Sequence, residues 1–186
     1  MNSKIKMIYI LLFILIMGCR PQEQGYLEYI NDVKNKITQK ITVGNTTTTV
    51  KWLPLYFRKQ TGAVTDSKDS LNTTNDDFYY FNVRFARVAT EKLSKEKIMY
   101  LDFDIQKDFT LLVKNDSIPP AICQKIENGM NGAYEYLLAF EKNEKNDKAD
   151  FTLVYKDKIF GNGDAIFVYN QSDIQKIPTP KRQDNK

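Results

Sequence analysis

Run after run of this sequence places an apolar residue at every second position, and each run is short and bounded by turn-forming residues. Tyr79, Phe81, Val83 and Phe85 share one face of an extended segment whose other face carries Tyr80, Asn82, Arg84 and Ala86. Leu101, Phe103 and Ile105 alternate with Asp102, Asp104 and Gln106. Tyr134, Tyr136, Leu138 and Phe140 alternate with Glu135, Leu137, Ala139 and Glu141, and Phe151, Leu153 and Tyr155 repeat the pattern. Side chains of a strand point alternately to its two faces, so a period of two specifies half-buried strands. Phe109 to Val113 is a continuous apolar strand, broken by Lys114-Asn115-Asp116-Ser117, and Ile166 to Tyr169 is the last strand. Ile37, Ile41 and Val43 lead through Gly44-Asn45 into the β-branched stretch Thr46 to Leu53. A two-residue loop of that kind suits a primed turn between antiparallel strands. Pro54, with no N–H to give a ladder, stops the second strand.

The connections are too short for ordinary helices, so about eight strands are expected to pack as a mainly β, antiparallel sandwich, with a barrel as the alternative. Helical spacing occurs near the start, where Tyr26, Tyr29, Ile30, Val33 and Ile37 predict a short amphipathic helix from about Gly25 to Lys36. Leu55 to Gln60 offers one or two helical turns, and Thr90 to Lys97 a connecting turn or short helix capped by Thr90. Pro119-Pro120, Gly129 and Gly132 mark a crossing between sheets. Gly161-Asn162-Gly163 marks a turn, and residues 179–186 a disordered tail.

The chemistry open to this chain is narrow. It has no histidine, which removes the Ser-His-Asp and Cys-His nucleophile systems and most zinc sites. No nucleotide-binding glycine loop occurs. Cys123, beside Pro119-Pro120-Ala121-Ile122, is expected to be a buried, inert thiol. Asp102 and Asp104, two apart on a strand, project from one face and are read as its solvent side; the catalytic alternative is a carboxylate pair acting on glycans. Asp66, Asp69, Asp76 and Asp77 lie in a long polar loop, 63–77, whose spacing misses the EF-hand pattern for Ca²⁺. Tyr80 and Leu137 sit opposite the apolar rows, so that face is either covered by the opening helix or an exposed binding surface. Lysines are interspersed with acids and the net charge is only +4, which argues against a nucleic-acid partner. No catalytic residue, metal or cofactor is assigned.

The leader carries the one motif with a definite chemical consequence. Lys4 and Lys6 precede an apolar run from Met7 to Met17, the build of a secretory signal peptide. That run falls well short of the ~20 residues a transmembrane helix needs. Ile16-Met17-Gly18-Cys19 resembles the lipobox of bacterial lipoproteins. The resemblance implies cleavage before Cys19 and a diacylglyceryl group on its thiol. Arg20, where that family's inner-membrane retention signal would place Asp, implies the outer membrane in a two-membrane cell. Further on, Asp108-Phe109-Thr110-Leu111-Leu112, Ala139-Phe140-Glu141, Phe151-Thr152-Leu153-Val154-Tyr155 and Phe160-Gly161-Asn162-Gly163 resemble the telokin-like, immunoglobulin-type domain of small bacterial lipoproteins of unknown function. That likeness implies an immunoglobulin-like sandwich and no catalytic residue.

The expected plan is therefore a signal peptide (1–18), a lipidated tether (19–25), one sandwich domain (26–178) and the tail. The expected role is a membrane-anchored, non-catalytic module that meets a protein or glycan partner in the cell envelope. The alternatives are a structural or assembly lipoprotein without a ligand site, and the carboxylate-based enzyme.

Overall fold

Nine strands build two antiparallel sheets in the computed structural model, which describes residues 21–54, 77–88, 92–127, 129, 132–143 and 148–178. Helix α1 (Pro21–Asn31) and a 3-10 turn (Val33–Asn35) lead into β1 (Thr38–Val43), β2 (Thr46–Trp52) and β3 (Phe78–Arg87). Helix α2 (Lys95–Phe103) and a second 3-10 turn (Ile105–Asp108) precede β4 (Phe109–Val113), β5 (Asp116–Ile118) and β6 (Ile122–Ile126). The chain continues through β7 (Ala133–Glu141), β8 (Phe151–Tyr155), β9 (Ala165–Tyr169) and the short helix α3 (Gln171–Ile174). The five-stranded sheet has the order β1-β2-β3-β7-β6 and the four-stranded sheet the order β5-β4-β8-β9. The chain is thus the mainly β, two-sheet sandwich that its alternation implies, with a short helix at its start.

The core is aromatic because the alternating rows are. Phe81 pairs with Leu138 and Val83 with Tyr136 across β3 and β7, so those side chains share the inner face. Val50, Phe81, Phe85, Leu138, Leu111, Leu153 and Phe167, drawn from both sheets, are fully buried in one cluster. The ring of Phe81 lies 5.7 Å from Phe140, 5.5 Å from Tyr169 and 6.0 Å from Phe151. Phe85 packs 4.8 Å from Tyr155 and 5.2 Å from Phe160. Offset and edge-to-face ring pairs of this kind add to the gain from burial alone.

The strands run between two poles. At one, Tyr26 and Ile30 of α1 are buried with Ile37 against Trp52, Ile174 and Ile177. Trp52 in turn meets Phe151 at the start of β8, 5.9 Å between ring centres. At the other pole β8 ends in Tyr155 beside Phe85, and the Tyr136 hydroxyl donates to the backbone carbonyl of Leu101 on α2 at 2.9 Å. Along one side the two edge strands β1 and β9 are stitched together, since Gln39 Nε2 donates to the Val168 carbonyl at 2.7 Å. Gly132, at φ +77°, faces the Arg87 carbonyl so closely that a Cβ would sit 3.3 Å from it, and only glycine fits both demands.

Several local expectations need correction. Leu101, Phe103 and Ile105 are not a strand. Ser94, in extended backbone, accepts a hydrogen bond from the Lys97 amide at 3.4 Å and starts α2. Leu101 and Ile105 are buried four residues apart, while Phe103, placed in the buried row by a period of two, is 72% exposed. Helix α1 begins at Pro21, inside the expected tether, and stops at Asn31, so Val33 and Ile37 are not helical partners of Tyr26. Proline is well placed there, because the first helical turn needs no N–H from it. Ile122 to Ile126 is a ninth strand, and Pro119-Pro120 lies where the chain crosses from β5 in one sheet to β6 in the other. Gly129 and Gly132 lie between β6 and β7, neighbours in one sheet. Asp116 and Ser117 belong to β5, and Lys114, at φ 53°, makes the turn before it. Residues 1–20, Leu55 to Gln60, Thr90 and the tail from 179 lie outside the described residues.

Candidate functional site

The segment 156–164, between β8 and β9, carries a dense group of side-chain hydrogen bonds. Its organiser is Asp157. Oδ1 accepts from the Tyr155 hydroxyl at 3.1 Å and from the amides of Ile159 and Phe160 at 2.9 and 2.8 Å. Oδ2 accepts from the amide of Asn162 at 2.7 Å. A carboxylate holding several backbone N–H groups substitutes for regular structure, and here it presses Ile159 and Phe160 onto the core. Burial, reinforced by the neighbouring Asp157, pushes the Tyr155 phenol far above its ordinary range.

Beside it lies a buried carboxylate. The side chain of Asp108 is fully enclosed, and its Oδ1 accepts from the Tyr100 hydroxyl and from Lys158 Nζ, each at 2.7 Å. Lys158 also donates to the Tyr100 oxygen at 3.2 Å. Oδ2 of Asp108 has no hydrogen-bond partner among the described residues. Desolvation, then the bond to Asp108, raises the Tyr100 phenol, and the bond to Asp108 raises the Lys158 ammonium. The triad ties α2, the start of β4 and the 156–164 segment together. It is a clamp closed on itself.

The cleft next to this segment, lined by Ile41, Thr46, Thr48, Tyr155, Asn162 and Asp164 among others, measures about 30 Å³. That is room for a water molecule. Among the described residues no group of three or more Asp, Glu or Cys side chains converges as metal ligands.

The residues singled out by sequence fall in separate places. Asp102, on α2, pairs with Lys125 of β6 at 2.7 Å, and Asp104, at the end of α2, pairs with Lys107. The two carboxylates are not neighbours on a strand face. Asp66, Asp69 and Asp76 lie outside the described residues; the carbonyl of Asp77 accepts from the Lys142 amide at 2.8 Å. Tyr80 and Leu137 are half-buried on the outer face of the five-stranded sheet. Helix α1 packs on Trp52, Ile174 and Ile177 at the pole instead of on Tyr80. Cys123 sits in β6, half-buried, and burial pushes its thiol up to about 11. At pH 8 it is therefore overwhelmingly protonated, and alkylation by iodoacetamide should run about a hundredfold slower than for an unfolded-chain thiol with a pKa near ~8.5. The folded-state rate should climb about tenfold per pH unit toward pH 11, and a rate matching the urea-unfolded protein at pH 8 would contradict this.

The two outer sheet faces differ in charge. The five-stranded sheet turns Lys40, Lys51, Arg84 and Glu135 outward, and Asn82 Nδ2 donates to Glu135 Oε1 at 2.7 Å. The paired residues of the four-stranded sheet turn outward Thr110, Leu112, Ser117, Thr152, Val154, Ile166 and Val168. None of these is charged. Sequence reasoning missed this face, although the short alternations in Phe109 to Val113, Phe151 to Tyr155 and Ala165 to Tyr169 contain it. It becomes a surface only when β4, β8 and β9 are laid side by side.

The architecture defines a two-sheet antiparallel sandwich with helices at its poles. No family model matches this sequence, and no curated protein matches it. Among solved structures it is similar to a novel protein of unknown function from Burkholderia pseudomallei K96243, at 8% identity over 85% of this chain and 88% of that chain, with a TM-score of 0.43. A likeness that loose carries no argument about role.

Proposed function

We propose that this protein is a lipoprotein of a bacterial cell envelope, anchored through Cys19, whose sandwich serves as a non-catalytic interaction module. The observation that carries the reading is the ordered leader: two lysines, an apolar run too short to span a bilayer, a small residue and Cys19. One acyl chain binds a membrane marginally and two hold it stably, so a diacylglyceryl group on Cys19 would suffice as anchor. Helix α1 starts at Pro21, two residues beyond Cys19, and packs on the Trp52 pole. That pole would sit nearest the membrane, with α2 and the 156–164 segment pointing away from it. Arg20 favours the outer membrane where two membranes exist. The carboxylates near α2 support a non-catalytic role, since Asp102, Asp104 and Asp108 each engage a lysine.

Metabolic labelling with palmitate tests the proposal. The native chain should carry the label in the membrane fraction. Cys19→Ser should lose it and accumulate as an unprocessed precursor. A Cys19→Ser protein processed normally and released as soluble chain would overturn the reading.

A further inference from the structure

We infer that Lys158 and Asp108 join in an amide cross-link that the folded chain forms on itself, with Tyr100 as the proton relay. The fold brings these three residues together from separate elements. Strands β4 and β8 pair through Phe109 and Tyr155, and the Lys156 amide extends that ladder by donating to the Asp108 carbonyl at 2.9 Å. Lys97 Nζ of α2 donates to the Ile159 carbonyl at 2.6 Å, which ties α2, and Tyr100 with it, to the segment that carries Lys158.

The three polar groups form a closed triangle. Lys158 Nζ lies 2.7 Å from Asp108 Oδ1 and 3.2 Å from the Tyr100 oxygen, and the Tyr100 hydroxyl donates to the same Oδ1 at 2.7 Å. A proton passes from Nζ to the Tyr100 oxygen while the phenol's own proton passes to Oδ1, which turns ammonium and carboxylate into amine and acid. The amine then attacks Cγ of Asp108. A second Nζ proton reaches Oδ1 by the same relay, the Cγ–Oδ1 bond breaks, and Oδ1 departs as water. The product is an Nζ–Cγ amide that keeps the last Nζ hydrogen and has Oδ2 as its carbonyl oxygen. Nothing is oxidised or reduced, and Tyr100 ends with the proton count it began with.

Burial supplies the drive. The Asp108 side chain is fully enclosed, and its Oδ2 has no hydrogen-bond partner among the described residues. A buried polar atom without a partner is costly, and more so when it carries charge. In the amide that oxygen belongs to a neutral group. Lys158, 58% exposed, leaves the expelled water a path to solvent. Free amine and acid do not condense readily in water, but well-oriented groups on one molecule reach effective molarities of ~10⁵–10⁸ M. Asp102 and Asp104, the other carboxylates paired with lysines beside α2, are partly exposed, so their charge stays in contact with water. The reaction runs once per chain and is independent of where the chain is anchored.

Tryptic mass mapping of the purified full chain tests the cross-link. The expected product is one branched peptide joining the Asp108 and Lys158 segments, uncut at Lys158 and lighter than its two parts by ~18 Da, one water. Lys158→Arg keeps the ion pair but offers no amine, so its peptides should all be linear. Tyr100→Phe keeps the ring and removes the relay, and the cross-linked fraction should fall at least about tenfold. Linear peptides alone from the native chain, both fresh and after prolonged incubation under folding conditions, overturn the proposal. So does a loss of water that persists in Lys158→Arg, which would place the dehydration elsewhere. A branched peptide of undiminished yield from Tyr100→Phe overturns the relay.

Discussion

Phe85→Ala is expected to cost about 3–5 kcal/mol of folding stability, the usual range for deleting a buried aromatic ring. Phe85 is fully buried, and its ring meets Phe109, Tyr136, Tyr155 and Phe160 at 6.4, 6.2, 4.8 and 5.2 Å. Those four rings come from both sheets and from the segment after β8, so no single neighbour can collapse into the space left behind. Domains of this kind are stable by about 5–15 kcal/mol, and the variant would lose a large part of that. Urea unfolding followed by the fluorescence of Trp52 measures the change directly. Phe103→Ala is the matched control: its ring is 72% exposed, and a shift within about 0.5 kcal/mol is expected. A loss below about 1 kcal/mol for Phe85→Ala would mean that the core is not centred where the two sheets meet.

Asp157→Ala is the second large effect, expected at about 2–4 kcal/mol. It strips acceptors from the Tyr155 hydroxyl and from the amides of Ile159, Phe160 and Asn162. Part-buried donors left without partners carry a desolvation cost that water repays only in part. Asp157→Asn keeps an oxygen for the Ile159 and Phe160 amides and presents an NH₂ where Asn162 needs an acceptor, so it should lose about half as much. Hydrogen exchange separates local from global effects: in the alanine variant the three amides should lose more protection than Phe81 and Leu138, which fall only by the drop in global stability. A loss at those three amides no larger than that across the sheets would contradict the local role given to Asp157.

Both predictions rest on contacts that sequence reveals unequally. The rows through Phe81, Tyr136 and Leu153 are legible because their period of two is sustained and their polar partners are unambiguous. Leu101, Phe103 and Ile105 satisfy the same period over a shorter stretch, and there a helix also fits, with Leu101 and Ile105 one turn apart. What decides is Ser94, a capping residue seven positions upstream of Leu101, outside the window in which the alternation is counted. Strand β6 was hidden for another reason: Gln124 and Lys125 break the hydrophobic pattern, and Lys125 points toward Asp102 on a helix that sequence had not yet placed. The Asp157 turn is local, its partners within five positions of it, but the Asp108 clamp depends on residues up to 58 positions apart, such as Tyr100 and Lys158. Pairings of that range have no local signature. The uncharged outer face was written in the sequence, yet it needed strand order to become visible.

The bond from Gln39 to the Val168 carbonyl reaches beyond the joining of two edges. An open edge strand is a template on which a foreign strand can grow, the first step of fibril formation. Gln39 occupies the acceptor that such a strand would seek on β9, and it does so with a side chain that cannot propagate a ladder. The β9 edge of the four-stranded sheet is thereby blocked at Val168, while β5 forms the other edge. A strand that would add to β9 must first displace Gln39, so the side chain of one sheet guards the edge of the other.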